Sequence, residues 1–246
     1  MEWTDRGIVI ARRKHGESSA IVALLTREHG RHLGLVRGAG GKRSTGLYET
    51  GTLVAARWRG RLAEHLGSLA CEMVAPFAAS VLDDAGRLAA LIAATAVIDQ
   101  AVPEREPHPA LFDATLDLLA NLPQADWPQR YVRWECACLA ELGFGLALDR
   151  CAVTGASEAL THVSPRTGRA VSAAAAQPYA DRLLTLPAFI GDPAQPAGTR
   201  EILAGLALTG HFLEHHVLAP LGHRLPAARI RLVDRLRRSS YVAGTT

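Results

Sequence analysis

Basic side chains, concentrated at the start of this chain, are the residues whose type and spacing most directly indicate a chemistry. Residues 1–65 carry twelve Arg and Lys against six Asp and Glu, a net charge of +6, whereas residues 66–246 carry fifteen against eighteen, a net charge of −3. Neutralising phosphates releases condensed counterions whatever the nucleotide sequence, so clustered cations favour polyanion binding. The asymmetry predicts a phosphate-binding module in the first part of the chain.

Most of the candidate phosphate contacts lie in or beside predicted loops. The candidates for phosphate contact are Arg12, Arg13, Lys14, Arg31, Arg37, Lys42, Arg43 and Arg57. In the alternative interpretation, several of these are ordinary solvated residues of strands. Trp3, Tyr48 and Trp58 are the aromatic residues of the same region, so if the polyanion is a nucleic acid, we expect contact with its backbone to dominate over base stacking.

The elements that carry these cations are predicted from short apolar runs punctuated by glycine. Five strands are expected at residues 7–14, 18–27, 31–39, 50–61 and 64–75. A Gly-rich basic loop at residues 40–46 separates the third strand from the fourth. Five short antiparallel strands favour an OB-type β-barrel, a fold repeatedly used for nucleic acid, and an SH3-like barrel is the alternative.

Beyond residue 76 the composition changes to Ala and Leu with apolar spacings of three and four, which predicts helices. The expected helices cover about 83–101, 110–121, 127–142, 176–184, 200–218 and 227–238. The fold class is therefore α+β and multidomain. We expect an OB-type domain at residues 1–80 and a helical domain at 81–246, the latter interrupted by a small turn-rich insert at 150–176.

Two further motifs resemble a nucleotide site and a metal site, and both lack required residues. The segment GGKRST at 40–45 has Val36 and Arg43 where a P-loop needs Gly and then Ser or Thr. His211 and His215 match H-x-x-E-H, which puts both imidazoles on one helix face, but no third ligand with supporting context is identified. A metalloenzyme built on these histidines is the least favoured alternative function.

Several short motifs also form an ordered set along the chain. Residues 141–144 read ELGF at the end of a predicted helix and run into Asp149-Arg150-Cys151, while the amino-terminal motifs are GIV at 7–9, ESS at 17–19, LTREHG at 25–30 and RGA at 37–39. Their order and spacing resemble the RecO family of bacterial recombination mediators over most of the chain. The resemblance implies an amino-terminal OB barrel, a helical carboxyl-terminal domain, binding of single- and double-stranded DNA, annealing of complementary strands, and loading of recombinase with RecR.

The resemblance also implies a docking site for a protein partner in the helical domain. RecO-type proteins bind the acidic, Phe-ending tail of single-strand DNA-binding protein through that domain. Arg130 and Arg133 lie three residues apart on one predicted helix face, beside apolar residues, and two guanidinium groups suit a terminal carboxylate. These two arginines are the candidates for the docking site, and pairing with Glu135 or another acid is the alternative.

Many RecO-like chains hold zinc with two C-x-x-C pairs in the insert, and this chain departs from that pattern. Cys151 stands at the first ligand position, but Thr154, Ser172 and Ala175 occupy the other three. Hydroxyl and methyl groups cannot replace thiolates around tetrahedral zinc. We therefore expect no metal and no cofactor, and an insert that survives as a turn packed on the helices, in the manner of a degenerate zinc finger.

Together these features predict a non-enzymatic DNA-binding mediator of recombinational repair, acting in the RecF pathway. The opening residues lack the pattern of a signal peptide, and the longest apolar stretch, at 88–98, is shorter than the roughly 20 residues that span a bilayer. We expect a cytoplasmic, nucleoid-associated protein that does not enter membranes. An OB-type protein-interaction adaptor with incidental basic charge is the alternative from another functional class.

Overall fold

The structure is a computed structural model that describes residues 1–39, 46–62 and 64–243, with side chains described up to residue 239. Lys42 and Arg43, two of the predicted DNA contacts, lie outside the described residues. The chain divides into two compact units. The first comprises Met1–Gln124 with Pro226–Arg229, and the second comprises Ala125–Leu225 with the chain from Ile230 onward.

Five strands of the first unit form a closed barrel. The strands are β1 (Glu2–His15), β2 (Ser19–Thr26), β3 (Gly30–Val36), β4 (Thr52–Arg59) and β5 (Ser68–Pro76), in the order β1-β2-β3-β5-β4. β1 pairs with β4 from Glu2 to Ile8 and with β2 from Gly7 to His15, and the β2 pairing contains a register shift between Val9 and Ala11. The predicted OB-type barrel is confirmed.

β1 begins five residues earlier than its apolar pattern predicts, because its polar first half is held by pairing with β4. Trp3 lies opposite Trp58 in this register, so both indoles belong to one end of the barrel. Trp58 fills that end and is 1% exposed. Its Nε1 donates to the carbonyl of Leu66 at 2.9 Å, and a Cβ on Gly67 would lie only 2.5 Å from the indole.

Two helices complete the first unit after a 3-10 turn at Phe77–Val81: α1 (Ala85–Ala101) and α2 (Pro109–Asn121). Both match the predicted helices within two residues. The Asp84 carboxylate caps α1 by accepting from the backbone N–H groups of Gly86 and Arg87 at 2.8 and 3.0 Å. Leu91 of α1 lies against Gly51, where an added Cβ would approach the leucine to 2.7 Å, so the helix contacts the barrel closely.

The second unit is mainly helical and contains a small sheet. Its elements are α3 (Trp127–Glu141), β6 (Leu160–Val163), β7 (Ala170–Ser172), α4 (Ala173–Ala176), a 3-10 segment (Gln177–Arg182), β8 (Leu184–Thr185), α5 (Ala188–Gly191), α6 (Thr199–Phe212), a π-helical continuation (Leu213–Leu218), a 3-10 turn (Ala219–Leu221) and most of α7 (Ala227–Ala243). The first three residues of α7 belong to the first unit. Within the described ranges, no helix is long and apolar enough to cross a membrane.

The helix predicted at 176–184 is confirmed only in part, because it is mostly a 3-10 helix and ends at Arg182. The Ala-rich run forms one turn, Ala173–Ala176, and continues as 3-10 helix from Gln177. Leu184 then leaves the helical path to pair with Val163 in the sheet β7-β6-β8. Pairing with a strand distant in sequence therefore overrides local helix propensity, and the predicted insert is a small sheet rather than a turn alone.

Candidate nucleic-acid interface

Three of the predicted cations gather at one end of the barrel, which we call the basic end: Arg12, Lys14 and Arg37. In the strand register Lys14 lies opposite Ala20, and Ala20 lies opposite Val36, so Lys14 and the exposed Arg37 occupy the same end. Arg12 donates from Nη2 to the carbonyl of Ala39 at 2.6 Å. Arg12 and Lys14 line a concavity of about 220 Å³ together with Glu17, Ser18 and Ser19.

Two other predicted DNA-binding residues, Arg13 and Arg31, are instead paired with acidic residues of the first unit. Arg13 Nη2 donates to Asp99 of α1 at 3.0 Å. Arg31 donates from Nε to the carbonyl of Val102 at 2.7 Å, and its Nη atoms lie 3.4 Å from carboxylate oxygens of Asp99 and Glu104. The Arg31 side chain is only 16% exposed. Arg31 is therefore held by several contacts within the first unit.

Arg27, which was not among the candidates, is paired in the same way. It contacts Asp113 of α2 at 2.9 Å and Glu28 at 2.7 Å. The hydrogen bond from Arg27 lowers the pKa of Asp113. Carboxylates on or beside α1 and α2 therefore neutralise several cations of the barrel.

Arg57 lies away from the basic end. It faces Thr4 in the register, and Thr4 precedes Arg12 by eight residues, about 26 Å along an extended strand. Its Nε donates to the carboxylate of Glu2, and this hydrogen bond lowers the pKa of Glu2. The structure thus separates Arg57 from Arg12, Lys14 and Arg37.

The opposite end of the barrel carries a cluster that the sequence did not predict, which we call the aromatic mouth: Trp3, His29, His32 and Trp58. Trp3 stacks on His29 with ring centroids 4.3 Å apart and on Trp58 at 5.9 Å. His32 stands edge-on to both indoles, at 5.0 and 4.9 Å. The four rings border a concavity of about 360 Å³ that Arg105 also lines. The missed signal was the early start of β1, which brings Trp3 beside Trp58.

In the second unit, Arg130 and Arg133 of α3, the predicted docking residues, contact different partners. Arg130 Nε bonds both carboxylate oxygens of Asp126 at 2.9 and 3.0 Å, so the alternative of pairing with an acid is observed for this residue. Arg133 Nη1 donates to the carbonyl of Phe189 at 3.4 Å. Tyr131 and Trp134 are 1% and 3% exposed and belong to the core.

Each histidine of the H-x-x-E-H motif has one ring nitrogen within hydrogen-bond distance of a backbone carbonyl. His211 Nε2 lies 3.1 Å from the carbonyl of Pro165, and His215 Nδ1 lies 2.9 Å from the carbonyl of His211. The two imidazoles stack at 4.4 Å. Across the described parts of the chain, no three His, Cys, Asp or Glu side chains converge as a metal site requires.

Cys151 is buried at the start of the predicted insert. Its Sγ accepts from the backbone N–H of Ser172 at 3.2 Å. Hydrogen bonds from Ser172 and Thr154 lower the pKa of the thiol to about 6. The contact with Ser172 ties the start of the insert to β7.

A closed five-stranded barrel with exposed cations at one end defines a protein of the OB class, whose members repeatedly bind nucleic acid or oligosaccharide. The family model for the recombination protein O amino terminus matches residues 1–77, and that for its carboxyl terminus matches residues 82–225. The chain belongs to the RecO family.

Similar proteins match over the full length of the chain. The DNA repair protein RecO of Rhodospirillum centenum is 53% identical over 249 residues, covering 100% of this chain and 99% of the relative. That of Rhodospirillum rubrum is 51% identical and covers 98% of each chain. That of Jannaschia sp. is 47% identical and covers 100% of both chains.

Proposed function

We propose that the protein is a non-catalytic mediator of recombinational DNA repair that binds single- and double-stranded DNA and anneals complementary strands. The observation that carries the proposal is the basic end, where Arg12, Lys14 and Arg37 are presented together. Arg12 donates to a carbonyl, which carries no net charge, so this contact does not neutralise its guanidinium group. Within the described residues, Lys14 and Arg37 form no ion pair.

The chemistry of this end suits binding without sequence preference. Arg and Lys attract phosphates as charges, and such contacts carry no base information. An annealing factor must hold strands of any sequence and release them after pairing. The relatives, which match almost the whole chain and are named as DNA repair proteins, support a role in DNA repair.

Binding of DNA distinguishes this proposal from a protein-interaction adaptor. We expect measurable affinity for oligo-dT at about 50 mM salt, falling steeply as salt increases, because each phosphate contact releases counterions. Fluorescence anisotropy over a series of salt concentrations measures both quantities. A protein that shows no affinity at low salt contradicts the proposal and favours the adaptor.

The proposal includes two partners: RecR, with which the protein helps to load recombinase, and the carboxyl-terminal tail of single-strand DNA-binding protein. For the tail, Arg133 is the better candidate, because Arg130 is already paired with Asp126. Arg133 is half-buried and donates to the carbonyl of Phe189. A carboxylate is a stronger acceptor for a guanidinium group than a carbonyl is.

A tail-peptide titration tests the role of Arg133. Arg133→Ala should weaken binding of the peptide while oligonucleotide affinity stays nearly unchanged, and Arg150→Ala, an exposed arginine of the same unit, is the matched control. Equal loss of peptide and DNA binding in Arg133→Ala contradicts a separate docking site. An annealing assay with strands coated by single-strand DNA-binding protein then measures DNA contact and partner docking together.

A further inference from the structure

The aromatic mouth has the shape and chemistry of a binding pocket. We propose that it receives one unstacked nucleobase of a DNA strand held along the barrel. The inference rests on the proposed function, because the base arrives attached to a strand whose phosphates contact the basic end. The pocket of about 360 Å³ is bordered by Trp3, His29, His32, Trp58 and Arg105, all within the first unit.

The stacking faces are positioned before any ligand binds. Asp5, whose side chain is 6% exposed, accepts from the backbone N–H of Glu28 at 2.8 Å and contacts His29 Nδ1 at 3.0 Å. This contact fixes the His29 ring parallel to Trp3, with 12° between the planes. Both rings are half-buried, so part of their surface remains accessible. Base–aromatic stacking needs a fixed, accessible π surface of this kind.

One wall of the pocket is held in an unusual backbone conformation. Arg105 adopts φ 63°, which is costly for a residue with a Cβ, and its N–H donates to the carbonyl of Arg31 at 2.9 Å. Gly30 lets this segment approach, since a Cβ there would lie 2.0 Å from the carbonyl oxygen of Glu106. Arg31, a predicted DNA contact, therefore serves to anchor the wall that carries Arg105. Strained backbone kept in place by several contacts is typical of binding sites.

Polar groups at the pocket lack partners that a base could supply. His32 is 5% exposed, and neither of its ring nitrogens has a hydrogen-bond partner in the described part of the chain. The same holds for Nε of Arg105. Burial, with the nearby Arg105 charge, lowers the pKa of His32 to about 4, so the imidazole is neutral near pH 7 and offers one donor and one acceptor. Base edges combine donors and acceptors in the same way.

The charge balance selects a neutral ligand over an ion. The two carboxylates at the rim, Glu2 and Glu28, are already paired with Arg57 and Arg27, so neither is free to attract an ammonium group. Arg105 contributes one positive charge, and its Nη2 donates to the carbonyl of Glu64 at 2.8 Å. A single guanidinium group binds a cluster of phosphates only weakly. A flat, neutral heterocycle with polar edges fits the pocket better than either ion.

The pocket and the basic end lie within reach of a single strand. Trp3 and Arg12 are nine residues apart on β1, about 30 Å along the strand. OB folds bind about 4–16 nucleotides of single strand, which covers that distance. Phosphates at the basic end and a base at the aromatic mouth are therefore compatible with one bound segment.

Comparison of oligo-dT with an abasic strand of the same length tests the inference on the unaltered protein. Both strands carry the same phosphates, so any difference in affinity reports the bases. We expect oligo-dT to bind at least about fivefold tighter, as for one stacked base. Photocrosslinking of a 5-iodouracil strand, followed by mass spectrometry, should identify the peptides that contain Trp3 or His29.

Variants then assign the difference to the pocket. Trp3→Ala should reduce the affinity for oligo-dT to that for the abasic strand without changing the abasic affinity, and Trp3→Phe should keep most of the preference. Tyr179→Ala removes an exposed aromatic residue of the other unit and should have no effect. Thermal unfolding of each variant verifies that the barrel is intact.

The outcomes separate the two proposals. Equal binding of both strands by the unaltered protein, or equal loss of both in folded Trp3→Ala, overturns the base pocket and leaves the DNA-binding function standing. Crosslinks confined to peptides without Trp3 or His29 also overturn the pocket. If neither strand binds at low salt, the proposed function fails, and the pocket fails with it.

Discussion

The two ends of the barrel carry different chemistry on the same strands. At the basic end Arg12, Lys14 and Arg37 present charge with few aromatic neighbours, whereas the aromatic mouth presents rings around the neutral, buried His32. The difference shows that the net charge of a segment does not reveal which of its cations are left unpaired at the surface. Arg13, Arg27 and Arg31 count toward the same total but are paired with carboxylates of the first unit.

The comparison also shows which contacts hold the aromatic mouth in place. By engaging Arg31, Asp99 and Glu104 remove a cation from the accessible surface and at the same time fix the segment that walls the aromatic mouth. Removal of these contacts should therefore disturb the mouth while leaving the basic end intact. The following experiments test that separation, from the largest expected effect to the smallest.

Gly30→Ala should disrupt the mouth most strongly. The substitution combines an unfavourable φ of +66° with a Cβ 2.0 Å from the carbonyl oxygen of Glu106, so we expect the free energy of unfolding to fall by about 4 kcal/mol. Gly16→Ala is the matched control, because Gly16 has φ +64° with no atom within 4 Å and should cost only about 1 kcal/mol. Urea denaturation measures both, and equal losses would contradict a close backbone approach at Gly30.

His32 should make the stability of the barrel depend on pH. Its pKa falls from 6.5 to about 4 on folding, so the unfolded chain binds more protons between these values. With respect to this group, the free energy of unfolding is highest above pH 6.5. It decreases by a total of about 3 kcal/mol as the pH falls toward 4. His32→Gln should remove this part of the pH dependence.

Unfolding in urea at several pH values measures the effect of His32→Gln. His15→Gln, a change at an exposed histidine of the same barrel, should retain the dependence of the unaltered protein. A His32→Gln curve parallel to that of the unaltered protein would show that folding does not shift the pKa of His32.

Arg31→Gln should destabilise the fold without weakening DNA binding. It leaves the largely buried Asp99 and the carbonyl of Val102 short of a partner, which we expect to cost about 2 kcal/mol. Arg13→Gln affects the same carboxylate from a side chain that is 70% exposed, so it should cost less than about 1 kcal/mol. If Arg31→Gln kept full stability and lowered the salt dependence of oligonucleotide binding, Arg31 would belong to the DNA surface after all.

These expectations also show which features the sequence could predict. Local patterns predicted the five strands and helices α1 and α2, since apolar periodicity and glycine punctuation are read within a few residues. The pairing of Arg31 with Asp99 joins residues 68 apart, and no local pattern encodes it. The sequence indicates no more for Trp3 than that it is one of few aromatic residues in its region, because the polar residues around it hide the first half of β1.

The smallest expected effect most directly tests which end of the barrel binds phosphate. Replacing Lys14 and Arg37 together with Gln removes two exposed cations, so the slope of log K against log salt for single-stranded DNA should fall by about 1.4. Unfolding free energies should stay within about 0.5 kcal/mol, because both residues are at the surface.

Arg57→Gln with Arg59→Gln removes the same charge from β4, and both of these arginines lie near Glu2. Because that carboxylate already offsets part of their charge, the β4 pair should change the salt slope much less than the Lys14 and Arg37 pair does. Anisotropy titrations of the two double variants, side by side at several salt concentrations, give the comparison. A larger change for the β4 pair would move the phosphate path to the aromatic end, and the bases and the backbone of the strand would then be bound at the same end of the barrel.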